Sequence, residues 1–258
     1  MPLLSRFTTL RSTALRRMFA PTRVLLFSLL AATGAEAEPR KTIHQPHGWY
    51  NYFGDHPIGD SRWGLHLEGQ WRRHDVVLRG QQLLLRPAIN FDVNKNLQLS
   101  AGYALARSYR YGEAPIAAGN DEHRIWQQAL LRYPQGKLRW STRIRFEERF
   151  LERIGREPHQ DKYRHENRLR LMQQVRIPLQ GKTYVTAYNE YWTYVKPYVS
   201  RSSFDQNRAY AAVGWQLNPH WRVETGYMHQ AILQRSGSVL ESNHTVMVSL
   251  FSSAPFGK

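Results

Sequence analysis

The sequence predicts an all-β chain: a transmembrane, antiparallel, up-and-down β-barrel of about ten strands, with twelve as the alternative count. Three observations predict it. The first is the segment KLRWSTRIRFEERF (Lys137–Phe150), where Leu138, Trp140, Thr142, Ile144 and Phe146 alternate with Arg139, Ser141, Arg143, Arg145, Glu147 and Arg149. A period of two sustained this far means an extended strand with one apolar and one charged face. A soluble sheet would turn the apolar face inward, and a strand of this length would be unusual there. In a membrane barrel the apolar face meets lipid and the charged face lines the lumen. The second observation is that this pattern recurs along the chain. The third is that short and long connections alternate, as periplasmic turns and outside loops do in outer-membrane barrels.

The N-terminus reads as an address. Arg16, Arg17 and Arg23 precede an apolar run, Val24–Ala32, and Ala35-Glu36-Ala37 forms a small-x-small cleavage site, so residues 1–37 are expected to be a secretory signal. Translation from Met18 would leave a signal of ordinary length. The chain carries 36 Lys+Arg and 20 Asp+Glu. Loss of residues 1–37 removes five Arg and one Glu, leaving 31 basic and 19 acidic residues. For an exported protein that surplus points to anionic headgroups or a basic lumen rather than nucleic acid. Cysteine is absent, which excludes disulfides, thiol chemistry and Cys-based metal sites. No run in the body approaches the roughly 18 apolar residues of a membrane helix, a test that barrel strands escape. Aromatic residues make up 12%, which suits strands and interfacial girdles.

Residues 38–60 are polar and rich in His, Gly and Pro around Trp49-Tyr50-Asn51-Tyr52-Phe53, and are expected to be a periplasmic lead-in or a short first strand. The barrel is expected over 61–252, with a C-terminal tail at 253–258. Arg62–Arg73 sets Trp63, Leu65, Leu67 and Trp71 against His66, Glu68, Gln70 and Arg72. Gln81–Asp92 sets Leu83, Leu85, Ile89 and Phe91 against Arg86, Asn90 and Asp92. Leu97–Arg110 opposes Leu97, Leu99, Ala101, Tyr103 and Leu105 to Gln98, Ser100, Gly102 and Ala104. Glu122–Tyr133 opposes Ile125, Ala129 and Leu131 to Arg124, Gln128 and Arg132, and Lys137–Phe150 follows. Arg164–Ile177 shows Leu169, Leu171 and Val175 against Glu166, Arg168 and Arg170. Thr183–Val195 is aromatic on both faces, so its register is open. Asn207–Leu217 carries Arg208 and Tyr210 opposite Ala209, Ala211 and Val213. His220–Leu233 carries Arg222 and Glu224 opposite Trp221 and Val223, and Asn243–Phe251 closes the series. Tight connections fall at VNKN (Val93–Asn96), PQG (Pro134–Gly136), PLQGK (Pro178–Lys182) and Asn218-Pro219. Longer ones lie near 111–121, 151–163, 196–206 and 234–242, with a shorter one near 74–80. With ten strands both termini would share the periplasmic side.

The motifs LEGQWRR, HRIWQQ, RIRFEER, HENRLRL, YNEYW and QNRAYAAVGWQL, in this order over roughly 48–252, resemble a family of uncharacterised outer-membrane β-barrel proteins, domain-of-unknown-function family 2490. The resemblance implies a barrel and an outer-membrane location, and no activity. The ending Ser252–Lys258 departs from the usual terminal aromatic, for which Phe251 and Phe256 are the candidates.

The registers place one network in the lumen: Glu68, Arg72, Arg86, Arg124, Arg143, Arg145, Glu147, Glu166, Arg168, Arg170, Glu190, Arg208, Arg222 and Glu224. A barrel of this size is only slightly wider than one that side chains fill, so its charges must be paired or wet. Arginine suits that role because its planar fork binds carboxylates bidentately and stays ionised. The expected function is a non-enzymatic envelope component, or a narrow anion-preferring pore because Arg exceeds Glu. Expected partners are outer-membrane lipid, lipopolysaccharide and the barrel-assembly machinery, with no nucleic acid and no cofactor or metal. The alternatives are a barrel hydrolase acting on envelope lipid or peptide, and a soluble periplasmic β protein. For a hydrolase, His66 and Glu68 would be base and orienting acid beside Ser100 or Ser141. Glu113, Asp121, Glu122, Glu152 and Glu157 offer acidic pairs near a rim. The pairs His44/His47 and His159/His165 match no metal-ligand spacing. Arg153, Arg156 and Lys162 could meet lipopolysaccharide phosphates.

Overall fold

The computed structural model describes residues 40–112, 118–195 and 203–256, so the expected signal at 1–37 lies outside the described residues. The described chain folds into β1 (Lys41–Pro57), β2 (Trp63–His74), β3 (Arg79–Asp92), β4 (Leu97–Ser108), β5 (Asn120–Gln135), β6 (Leu138–Glu152), β7 (Tyr163–Pro178), β8 (Thr183–Val195), β9 (Phe204–Gln216), β10 (Trp221–Leu233) and β11 (Val239–Ser252). Each strand pairs antiparallel with the next in sequence, and β1 pairs with β11 to close the ring. Closure removes every sheet edge, the one arrangement in which all strand N–H and C=O groups find partners. No helix among the described residues is long and apolar enough to cross a membrane.

The ten expected strands correspond to β2–β11, and the eleventh comes from the segment left open between a periplasmic lead-in and a short first strand. β1 is no appendage: at seventeen residues it is the longest strand. Its inward series includes Ile43, Gln45, His47, Trp49 and Asn51, all buried. The odd count has a geometric consequence. In an antiparallel succession the first and eleventh strands point the same way, so the closing seam is parallel, from Lys41↔Val239 to Gly54↔Ser252. The expectation that both termini share one side is therefore corrected. β1 starts beside Ser238, at the rim of the longer connections, where the Lys41 amide donates to the Ser238 carbonyl at 2.9 Å. β11 ends at the opposite rim. There the tail folds back: the Phe256 amide donates to the Pro57 carbonyl at 2.9 Å, and the Phe256 ring packs on His56. Phe251 faces inward and stacks on Phe53 at 5.1 Å, so Phe256 is the aromatic that fastens the terminus.

The loop alternation holds with two exceptions, the four-residue turn 75–78 and the five-residue connection 234–238, which is no longer than 58–62. Connections 58–62, 93–96, 136–137, 179–182 and 217–220 form one rim, called here the turn rim. At the opposite rim, the loop rim, lie the strand ends Ser108/Asn120, Glu152/Tyr163, Val195/Phe204 and Leu233/Val239, together with the short turn 75–78. In the two-residue connection between β5 and β6, Gly136 takes φ 58°, a conformation that costs a glycine little.

Polarity is inverted relative to a soluble globule. Leu85, Ile89, Leu99, Ile125, Ile144, Leu171, Val213, Val246 and Val248 are exposed around the outside. Trp63 and Trp215 stand outside near the turn rim and Trp71 nearer the loop rim. The buried set is mainly Arg, Glu, Gln, Asn and Ser. β8, whose register was open, turns Tyr184, Thr186, Tyr188, Glu190 and Trp192 inward.

The Tyr184 ring lies flat over Gly214 on β9, so that a Cβ there would sit 2.2 Å from the ring. This seat holds the Tyr184 hydroxyl where it donates to Glu224 at 2.9 Å. Gly214→Val is expected to displace the ring and cost about 1–3 kcal/mol, the usual penalty of overpacking. The check is a lowered unfolding midpoint of the refolded barrel in denaturant.

Candidate functional site

The lumen holds its charges in tiers. At mid-height Glu147 is fully buried and is the hub. Its Oε2 accepts Arg168 Nε at 3.0 Å and Nη2 at 2.5 Å, and its Oε1 accepts Arg170 Nη1 at 2.8 Å. Arg86 Nη2 stands 4.0 Å from the same carboxylate. Arg86 chiefly serves Glu68, with Nη1 2.7 Å from both oxygens, while Gln70 donates to Glu68 at 2.5 Å. Glu190 accepts Arg143 Nη2 at 2.6 Å and Arg170 Nε at 2.9 Å, and Arg208 Nη1 lies 4.0 Å away. Arg168 reaches on to Asp205 at 3.0 Å.

Towards the loop rim, Glu122 takes Arg124 Nε at 2.7 Å and Arg149 Nε at 2.5 Å. Glu166 takes Arg149 at 3.3 Å, Arg164 at 2.7 Å and Arg235. Towards the turn rim, Glu224 accepts the Tyr184 and Tyr210 hydroxyls, with Arg176 at 3.8 Å and Arg222 at 4.0 Å. Buried this deeply, each unpaired ion would cost several kcal/mol, and only multiple charge-assisted bonds offset that.

Three tryptophans complete the packing. Trp192 is faced by Arg170, Arg208 and Arg168 at 3.7, 4.1 and 4.2 Å from its ring centroid. Trp126 carries Arg145 at 4.3 Å, and Trp49 carries Arg72 at 3.9 Å and Arg208 at 4.9 Å. Desolvated cation–π contacts contribute about 2 kcal/mol each. They also fill the bore: all three rings are buried.

Either side of this layer lies a cavity. One, of about 710 Å³, lies toward the turn rim and is bounded by Lys95, Asn96 and Pro134 near its mouth and by Arg145, Arg170 and Glu190 at its floor. The other, of about 510 Å³, lies toward the loop rim between Gln82, Tyr111, Arg149 and Glu241. Of the residues lining the two, only Trp49 and Arg208 are common to both. The hub Glu147 and the ring of Trp126 border neither and are buried at mid-height. Burial pushes the phenol of Tyr111 up to about 12, so this group by the loop rim stays neutral.

All fourteen residues named from the sequence face the lumen, and the tiers above connect most of them directly. Arg72 is held by Gln70 and Gln82 at 2.8 and 2.6 Å instead of by a carboxylate. The network named from the sequence omitted Asp205 and the three tryptophans, as well as Arg149, read only as part of its strand's charged face, and Glu122, read as a rim acid. Arg149 and Trp126 were legible, since each continues the inward alternation of its strand. Asp205 fell in a stretch read as a loop, and Trp49 in the segment left open between a lead-in and a short first strand.

The constellations weighed for catalysis and metals are arranged otherwise. His66 Nδ1 lies 2.8 Å from Asp55 and its Nε2 3.5 Å from Glu68, so both ring nitrogens face carboxylates. The Ser100 hydroxyl donates to Asn90 at 2.7 Å. Among the rim acids, Asp121 pairs with Arg107 at 2.8 Å on the outer face and Glu152 with Lys162 at 3.5 Å; Glu113 lies outside the described residues. His44 is exposed whereas His47 is buried in the lumen, and no group of three or more metal-ligating side chains converges among the described residues.

Fold and site together define a closed β-barrel with an apolar outside and a charge-packed lumen in which three tryptophans are buried. The model of a family described as protein of unknown function (DUF2490) matches residues 47–241, and the chain belongs to that family. It is also 29% identical over 244 residues to an uncharacterised protein of Methylorubrum extorquens, a match covering 91% of this chain and 99% of that one. No solved structure matches.

Proposed function

We propose that the protein is an outer-membrane β-barrel, a non-enzymatic component of the envelope whose lumen is sealed at mid-height. One observation carries the membrane reading: large apolar side chains circle the outside while the interior is filled with arginine–carboxylate pairs. In water that distribution would waste the hydrophobic effect, whereas in lipid it is the one that works. With the short turns in the periplasm, the C-terminal tail lies on the periplasmic side and β1 begins at the outer surface. Outer-membrane lipid and lipopolysaccharide are then the surrounding partners, and the barrel-assembly machinery the route of insertion. The non-enzymatic reading is supported by His66, which a carboxylate at each nitrogen keeps from serving Ser100 as a base.

The test is outer-membrane fractionation of the full chain, followed by planar-bilayer recording of the refolded barrel. The expected result is a heat-modifiable outer-membrane protein with no steady current. A steady anion-selective current that Arg143→Glu or Arg168→Glu weakens would replace the sealed barrel with a narrow pore. Recovery in the soluble periplasmic fraction would overturn the membrane reading.

A further inference from the structure

Arg145, like Arg72 nearer the loop rim, hydrogen-bonds only neutral amide groups and stacks on an indole. Its Nε and Nη2 both donate to Gln128 Oε1, at 3.0 and 2.7 Å, and Trp126 lies under the guanidinium. The side chain is 2% exposed, and its Nη1 is buried without a hydrogen-bond partner. Its strongest charged neighbours are the cations Arg86, Arg143 and Arg170, ahead of Glu68. A buried cation among cations is the arrangement that a folded chain avoids unless an anion completes it.

The turn-rim cavity, about 710 Å³ in volume, is lined by that residue. Ten basic side chains border it against four carboxylates, Asp55, Glu68, Glu190 and Glu224. Those carboxylates are already engaged: Asp55 by His66, Glu68 by Arg86, Glu190 by Arg143 and Arg170, Glu224 by two tyrosines. The Nε atoms of Arg86, Arg143, Arg176 and Arg222, residues that all border the cavity, make no hydrogen bond, and the side chains of Arg143, Arg176 and Arg222 remain 19%, 31% and 26% exposed. Guanidinium groups with free N–H edges match the oxygens of phosphate and carboxylate groups, and the volume falls within the roughly 300–1,000 Å³ of small-molecule sites.

We propose that the turn-rim cavity binds a small, soluble, polyvalent oxyanion, with Arg145 as the innermost contact and Arg143, Arg176 and Arg222 around it. The donors face the lumen and not the outer wall, so the ligand is a solute and not a lipid headgroup. Binding requires only the folded barrel. It therefore stands or falls separately from the membrane location and from the absence of current.

The experiment is calorimetric titration of the detergent-refolded full chain with tripolyphosphate in one arm and citrate in the other. Saturable binding of at least one probe is expected, and the tighter arm names phosphate or carboxylate as the preferred class. Arg145→Gln should weaken it about tenfold, as for loss of a hydrogen-bonded charge. Arg176→Gln, nearer the rim and easily tolerated, should weaken it by a smaller factor and decides the matter if Arg145→Gln does not fold. Arg107→Gln, which removes the same charge from the outer face, should leave binding unchanged. No saturable binding of either probe overturns the proposal. So does equal weakening by Arg107→Gln and Arg176→Gln, which would mean attraction to net charge alone.

Discussion

Glu147→Gln is expected to be the most damaging single substitution in the lumen, costing about 3–5 kcal/mol because it leaves buried cations without their counter-ion. Glu147 is fully buried, and it bridges Arg168 and Arg170, successive inward residues of β7, with Arg86 within 4.0 Å. Glutamine keeps the volume but loses the charge, and its amide NH₂ meets guanidinium donors with nowhere to donate. A denaturant titration of the refolded variant in detergent should show a midpoint well below that of the parent. Bilayer recording should then show intermittent current, since the ion pairs at mid-height are built on this carboxylate. By contrast Asp121→Asn, which breaks the Arg107 pair on the wet outer face, should leave the midpoint unmoved. An unshifted midpoint for Glu147→Gln would mean that the hub is not what holds the bore together.

What the sequence disclosed and what it withheld follow from one property of strands. Alternation identifies a strand and its two faces wherever the faces differ, as along Leu138–Phe150, so the lumen network was legible residue by residue. Thr183–Val195 has aromatic residues on both faces, so no period separates Tyr188 inside from Tyr191 outside. Only pairing with β7 and β9 fixes which way that strand turns. β1 was hidden for a different reason. Its inward series mixes Ile43, Gln45, His47, Trp49 and Asn51, and its outward series mixes Thr42, His44, Tyr50 and Tyr52, so neither face has a consistent polarity. Its identity as a strand rests on fourteen ladder partners in β11, nearly two hundred residues away along the chain, and no local pattern encodes those. Missing that strand also reversed the inferred side of the N-terminus, because adding one strand to an antiparallel ring flips the end at which it starts.

Ile144→Arg separates lipid from water as the surroundings of the outer wall. Ile144 lies in the middle of β6, points outward at 48% exposure, and is flanked across the ladders by Ala129 and Leu171. On a soluble barrel an exposed substitution of this kind changes stability by no more than about 0.5 kcal/mol. At the midplane of a bilayer an arginine costs about 2–4 kcal/mol, falling towards zero near the interfaces. The expected result is a variant that folds in detergent, where the guanidinium reaches water, but inserts poorly into lipid vesicles and accumulates poorly in the outer membrane. Leu131→Arg, also outward but close to the turn rim, should be milder in the same assay. That gradient matters more than either value alone. A general folding defect would lower yield in detergent and vesicles alike and ignore depth, whereas a cost that rises from Leu131 to Ile144 only in vesicles can come from nothing but a slab of hydrocarbon around the barrel. Equal insertion of both variants and the parent would remove the membrane from the account, and leave the apolar belt as a surface seeking a protein partner.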